Sequence, residues 1–166
     1  MMKLLEKLLA VWAGCDDPFL IHRGNQLRFS QLMSHDGLDL SSIQAGDVVA
    51  LIGDFDAPSV MTLLRLIDLG AIVVPLTVDT SHEHEYFFDA AQVDVVVRAG
   101  TITRRAHGHR HELIESLRQR QHAGLVLFST GTTGRPKAIL HDLTLFLKRF
   151  ETPRPTLRTI NFLLFD

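Results

Sequence analysis

The chain has 166 residues, 46% of them hydrophobic and 22% charged, which suits one globular domain with its own core and excludes a disordered polymer. Its formal net charge of -2 gives no electrostatic case for nucleic acid, and its one cysteine, Cys15, excludes an intrachain disulfide. No stretch approaches the roughly 18 apolar residues that a membrane span requires, and the sequence reads as that of a cytoplasmic protein.

The N-terminus, Met1 to Gly14, places Leu4, Leu5, Leu8, Leu9 and Trp12 at i, i+3, i+4 spacing, the pattern of an amphipathic helix packed on the domain body. Glu6 and Lys7 interrupt the apolar run that a secretory signal would need. Gly14 and Asp16-Asp17-Pro18 then mark a turn. Phe19–His22 and Gln26–Phe29, flanking Arg23-Gly24-Asn25, read as a small β-hairpin, and Ser30 is placed to cap a short helix holding Leu32 and Met33.

The segment 47–97 is more regular. Asp47–Ile52 is a short apolar run, as expected of a strand buried on both faces. A helix follows, with Asp56 or Ala57 at its cap, Pro58 in its first turn and Gly70 as a left-handed terminator. Ala71–Leu76 is the next strand, His82–Ala91 the next helix, with His82, Glu83, His84 and Glu85 facing water, and Val93–Val97 a third strand. Strand, helix, strand, helix, strand predicts an α/β fold with a mostly parallel sheet flanked by helices.

Residues 98–122 hold six arginines, four histidines and two glutamates, and read as a basic, solvated connector ending in a helix from His109 to Gln121. His107, His109 and His111 alternate, but no cysteine or ordered carboxylate completes a metal set. A nucleic-acid patch of arginines would lack the aromatic residues that stack on bases. The segment 124–141 is a strand, a Gly- and Thr-rich loop and a second strand, followed by a helix from Asp142 to Phe150. His141 lies either near a substrate pocket or in a turn. The sequence ends in the strand-like run Thr159–Asp166, which reads as the interrupted end of a longer protein or as a C-terminal edge strand.

The loop carries the chemistry. Ser129-Thr130-Gly131-Thr132-Thr133-Gly134-Arg135-Pro136-Lys137 joins two apolar strands. Gly131 and Gly134 allow a tight backbone turn with exposed N–H groups, four hydroxyl side chains add donors, and Lys137 adds charge; together these can cradle a polyphosphate. A polar hairpin turn without ligand is the alternative, since Gly, Ser and Thr also favour turns for local reasons. The P-loop pattern is excluded, because Gly134 is followed by Arg135-Pro136 rather than Lys-Ser, and Pro136 lacks an N–H donor.

These nine residues resemble the signature of the adenylate-forming superfamily, which includes acyl-CoA synthetases and the adenylation domains of nonribosomal peptide synthetases. Gln44–Ala50 and Leu69–Leu76 also resemble two upstream segments of that family. The resemblance, running from about Phe19 to Asp166, implies the N-terminal portion of the large domain of such an enzyme. It implies that ATP activates a carboxylic acid as an acyl-adenylate, followed by transfer to a thiol, either coenzyme A or a carrier-protein phosphopantetheine. Ser129, Thr130, Gly131, Thr132, Thr133, Gly134 and Lys137 are then the β- and γ-phosphate cradle, with Thr130, Thr132 and Lys137 acting on the leaving pyrophosphate. Asp166 falls where an acyl- or aminoacyl-pocket motif begins, or it is a strand-end residue. The blocks that hold adenine, ribose and Mg2+ in the family do not occur in this sequence, so the magnesium ligand is expected beyond residue 166, and the chain alone is expected to be inactive. Two further possibilities are a catalytically inactive short relative serving as a binding or scaffold module, and one chain of a split enzyme.

Overall fold

Val48–Ile52 is buried at all five positions, and that follows from its place between two other strands and two helical layers. In the computed structural model, which describes residues 3–34, 37–54, 56–106, 110–129 and 134–150, this strand lies inside a six-stranded sheet. The elements in chain order are α1 (Leu4–Trp12), β1 (Leu20–His22), β2 (Asn25–Leu27), α2 (Phe29–Met33), β3 (Val48–Ile52), α3 (Ala57–Leu69), β4 (Ile72–Leu76), a 3-10 turn (Val78–Glu83), α4 (His84–Ala91), β5 (Val95–Arg98), β6 (Thr101–Arg104), α5 (Glu112–Arg120), β7 (Gly124–Ser129), β8 (Lys137–Asp142) and α6 (Leu143–Lys148). The sheet order is β6-β5-β3-β4-β7-β8. The four central strands run parallel, and the two edge strands are antiparallel to their neighbours.

Alternation along the strands divides the core between the two faces of the sheet. Val48, Ala50, Ile52, Ile72 and Val74 face α4 and α5, meeting Phe88, Ala91, Ile114 and Leu117. Val49, Leu51, Val73, Val95 and Val97 face the other way, against Leu66, Leu63 and Ile67 of α3. The outer side of α3 holds a third cluster, in which Met61 and Ala57 meet Phe29 and Leu32 of α2 together with Leu5, Leu8 and Trp12 of α1. Leu9 projects away, 47% exposed, so the amphipathic stripe of α1 is narrower than its leucine pattern predicts.

The helix ends follow their local chemistry. The Asp56 side chain accepts from the Ser59 N–H at 2.9 Å, and Pro58 occupies the first turn of α3, where no donor is needed. Gly70 closes the helix at φ +85°. In α2 the expectation fails in detail: Arg28 is the cap residue and its backbone N–H donates to Gln31 Oε1 at 2.9 Å. Ser30 sits inside the helix, where its carbonyl accepts from the Ser34 hydroxyl.

Two sequence expectations are corrected more substantially. His84 does not face water. It is 4% exposed, its ring lies 5.6 Å from that of Phe88, and its Nε2 is 2.9 Å from the Thr77 carbonyl. A carbonyl only accepts, so Nε2 carries the proton. Nor is 98–122 a solvated connector. It contains edge strand β6, joined to β5 by a two-residue turn in which Ala99 and Gly100 both have positive φ. Four of its six arginines are tied to the fold. Arg104 Nη2 donates to Asp47 Oδ2 at 3.0 Å and to the Ser42 carbonyl. Arg110 embraces Asp94 with both terminal nitrogens, and Arg105 pairs with Glu85 and Asp89. Arg118 donates from Nε to the Gly46 carbonyl at 2.7 Å and lies within 3.8 Å of both Asp47 and Asp94.

Asp47 and Asp94 are both buried, at the amino ends of β3 and β5. Asp94 also accepts from the Val48 N–H at 2.8 Å, and Asp47 from the Gln44 N–H at 2.9 Å. Buried carboxylates require such partners, because an isolated charge in the interior is too costly to keep.

Candidate functional site

The hairpin β7–β8 supplies the two stems of the Gly- and Thr-rich loop. Its register pairs Ser129 with Lys137, so the residues at which the signature begins and ends stand opposite each other at the last rung. Ser129 is half-buried and Lys137 exposed. Alternation along the strands puts Leu125, Leu127 and Ser129 on one face with Lys137, Ile139 and His141, and turns Phe128 and Leu140 to the other, where both pack against the main core. The loop leaves the carboxyl end of β7, a strand parallel to β4, and the carboxyl ends of parallel strands are where open α/β sheets collect ligands.

Helix α4 fixes both stems. His84, Phe87, Phe88 and Ala91 form its buried stripe, and the Phe87 ring lies 4.3 Å from that of Phe128 on the incoming strand. One residue earlier, the Tyr86 hydroxyl donates to the Pro136 carbonyl at 2.7 Å, on the outgoing side. The Arg135 guanidinium lies over the Tyr86 ring, 5.2 Å from its centre, a cation–π contact that keeps the charge at the rim of the loop.

The charge at the loop has no counter-charge among the described residues. Among the described residues neither Arg135 nor Lys137 has a carboxylate partner, in contrast to Arg104, Arg105, Arg110 and Arg118. At Gly134 an added Cβ would meet nothing within 4 Å and would project into open space. Two cations without counter-charges beside an open glycine fit an anionic group such as a polyphosphate.

Ser129, Gly134 and Lys137 are thus brought to one end of the hairpin. Thr130, Gly131, Thr132, Thr133 and Asp166 lie outside the described residues, as do His107 and His109. His111 caps α5, its Nδ1 accepting from the Leu113 N–H at 3.2 Å. His122 pairs with Asp142, Nδ1 to Oδ2 at 2.8 Å, and His141 is exposed within β8 rather than in a turn. Among the described residues no group of three or more His, Cys, Asp or Glu side chains could hold a metal ion, and no helix is long and apolar enough to cross a membrane. Tyr86 escapes sequence reading. The one available signal is an aromatic residue beside the buried stripe of α4, and it does not reveal a partner fifty positions away.

A cavity of about 1050 Å3 lies elsewhere, at the amino ends of the strands, among Leu8, Gly70, Arg118, His122 and Leu147. None of the loop residues lines it. Size alone favours that cavity, but the unpaired cations, the open glycine and the hydroxyl-rich sequence favour the loop as the site.

No family model matches the chain, and no curated protein does. Solved structures do. The N-terminal subdomain of NpsA from Klebsiella oxytoca, in complex with anthranilyl-AMSN, superposes with a TM-score of 0.62 at 19% identity, covering 90% of this chain and 42% of that one. An artificially fused adenylation–PCP di-domain, NpsA-ThdA, from the same organism gives a TM-score of 0.55 at 21% identity, covering 81% of this chain and 31% of that one. The fold is therefore that of the N-terminal subdomain of an adenylation domain. The chain spans less than half the length of these structures.

Proposed function

We propose that this chain is the ATP-phosphate-gripping part of an adenylate-forming enzyme, in which a carboxylic acid attacks the α-phosphate of ATP to give an acyl-adenylate and pyrophosphate. The observation that carries the reading is the placement of the Ser129–Lys137 signature. It joins β7 to β8 at the carboxyl end of a parallel strand, beside two cations with no carboxylate partner among the described residues, within a fold shared with an adenylation subdomain. Ser129, Thr130, Gly131, Thr132, Thr133 and Gly134 would offer hydroxyl and backbone donors to the β- and γ-phosphates, and Lys137 would balance charge. As the bond to pyrophosphate breaks, negative charge grows on the leaving group, and donors already in place stabilise it without reorganising. None of these residues is a nucleophile; the substrate carboxylate is, so the chain's own part is positioning and charge control.

Transfer of the acyl group to a carrier-protein thiol is supported by the NpsA-ThdA fusion, which joins an adenylation domain to a PCP; coenzyme A is the other acceptor of the same chemical class. Asp166 is proposed as the start of the acid pocket. Magnesium would be held by residues beyond Asp166, as the resemblance to the adenylate-forming superfamily implies.

The test is exchange of labelled pyrophosphate into ATP by the protein containing this chain, in the presence of its cognate acid. Replacing Thr132 and Thr133 by Ala is expected to slow exchange more than tenfold, since removing even one preorganised donor costs about 10²-fold or more in known cases. Exchange at the unmodified rate would show that the loop is not the phosphate cradle.

A further inference from the structure

We infer that Tyr86 is a positioning residue for the phosphate loop, and that α4 holds the loop's exit in the shape that accepts pyrophosphate. The inference rests on the reading of Ser129–Lys137 as the phosphate cradle. Tyr86 touches the loop in two ways: its hydroxyl donates to the Pro136 carbonyl at 2.7 Å, and its ring lies under the Arg135 guanidinium at 5.2 Å. Pro136 has no N–H and cannot be anchored through a ladder hydrogen bond of its own donor. Its carbonyl is the remaining backbone handle immediately before Lys137, and Tyr86 takes it.

The same helix turn fixes the entry strand. Phe87, 4% exposed, stacks at 4.3 Å on Phe128, the residue before Ser129. Entry and exit are thus registered to one rigid element at adjacent positions. The foundation is itself immobilised: His84 is pinned to the Thr77 carbonyl, and Gln92 closes α4 with its N–H donating to the Asp89 and Phe88 carbonyls. A half-buried tyrosine that spends its only O–H on a proline carbonyl contributes little to the core. Its effect is to narrow the set of shapes open to the following lysine and the preceding loop. A loop whose binding-competent shape is only partly populated binds its ligand more weakly in proportion.

The chain contains a single tyrosine, so 3-fluorotyrosine incorporation labels this position alone. Titration of the chain with magnesium pyrophosphate, followed by calorimetry, gives the affinity; the 19F resonance reports on Tyr86 directly. The expected result is a saturable 19F shift tracking the calorimetric isotherm, and about fivefold weaker binding by Tyr86→Phe, the loss of one neutral hydrogen bond, with the urea midpoint lowered by no more than the same bond accounts for, about 0.5 M. A purely structural tyrosine would move the midpoint and leave the affinity of the folded protein alone. Equal affinity in Tyr86→Phe, or a 19F resonance unmoved by bound pyrophosphate, would overturn the positioning role and leave the phosphate-cradle reading standing. Failure of the unmodified chain to bind pyrophosphate would overturn both.

Discussion

Replacing Asp94 by Ala tests the claim that the arginines of 98–122 serve the fold. Asp94 is 7% exposed and accepts from the Val48 N–H and from both terminal nitrogens of Arg110, whose side chain is 13% exposed. Truncation removes the acceptor of the buried Val48 N–H and the two-pronged partner of Arg110, whose Nε keeps Glu115 Oε1 at 3.3 Å. Breaking a buried pair in this way costs about 3–5 kcal/mol, a large part of the roughly 5–15 kcal/mol that stabilises a typical domain. With a urea m-value of about 2 kcal/mol/M, the midpoint should fall by about 2 M. Trp12, the single tryptophan, and circular dichroism at 222 nm give two probes whose coincidence tests two-state unfolding. Because the pair is buried, the loss should persist at high salt, where exposed ion pairs are screened. A midpoint shift below about 0.5 M, or one abolished by salt, would refute the assignment and return these arginines to a solvated role.

Gly46→Ala should destabilise the chain by about 1–2 kcal/mol, since Gly46 sits at φ +81° and an added Cβ would come within 2.9 Å of Arg118 Cγ, the residue that binds the Gly46 carbonyl; an unfolding midpoint equal to that of the unmodified chain would contradict the geometry. Asp56→Ala removes the side-chain acceptor at the start of α3 and should cost about 1 kcal/mol, with Asp56→Ser recovering most of it in the same urea titration.

The alternation of strands and helices in 47–97 is legible because each element obeys a local rule. Val48–Ile52 is apolar throughout because it is buried on both faces, and Asp56, Pro58 and Gly70 occupy the cap positions their chemistry favours. What is not legible depends on distance along the chain. β6 merges into a basic connector in the sequence because only Ile102 among its four residues is half-buried, so no apolar pattern marks an edge strand of this kind. The Ala99-Gly100 turn is the one local hint. The charged neighbours of His84 point to water, and its burial is decided by a carbonyl seven residues back. Asp47 has the local setting of a turn, whereas its partners Arg104 and Arg118 lie 57 and 71 positions away, a separation across which charge patterning carries no signal. At the site, the donors and charges of the loop can be read from residue types alone, but the Tyr86–Pro136 hydrogen bond cannot, because nothing local distinguishes a tyrosine that reaches a loop from one that borders a core.

The distribution of charge follows the direction of the sheet. At the amino ends of β3 and β5, Asp47 and Asp94 are each matched by arginines and by backbone donors, leaving no charge in want of a partner in that cluster. Such a cluster holds strand ends together and has nothing left to offer a ligand. At the carboxyl ends the arrangement is reversed: Arg98 ends β5, and Arg135 and Lys137 flank the exit of the β7–β8 loop, none with a carboxylate partner among the described residues. Arg135 and Lys137 make no ion pair among the described residues that would add to folding there, and that is the charge pattern on which the proposed anion site rests. The glycines show the same contrast. Gly46 is demanded by a positive φ and a close arginine, a requirement of the fold, whereas at Gly134 an added Cβ would meet nothing within 4 Å and the packing makes no such demand.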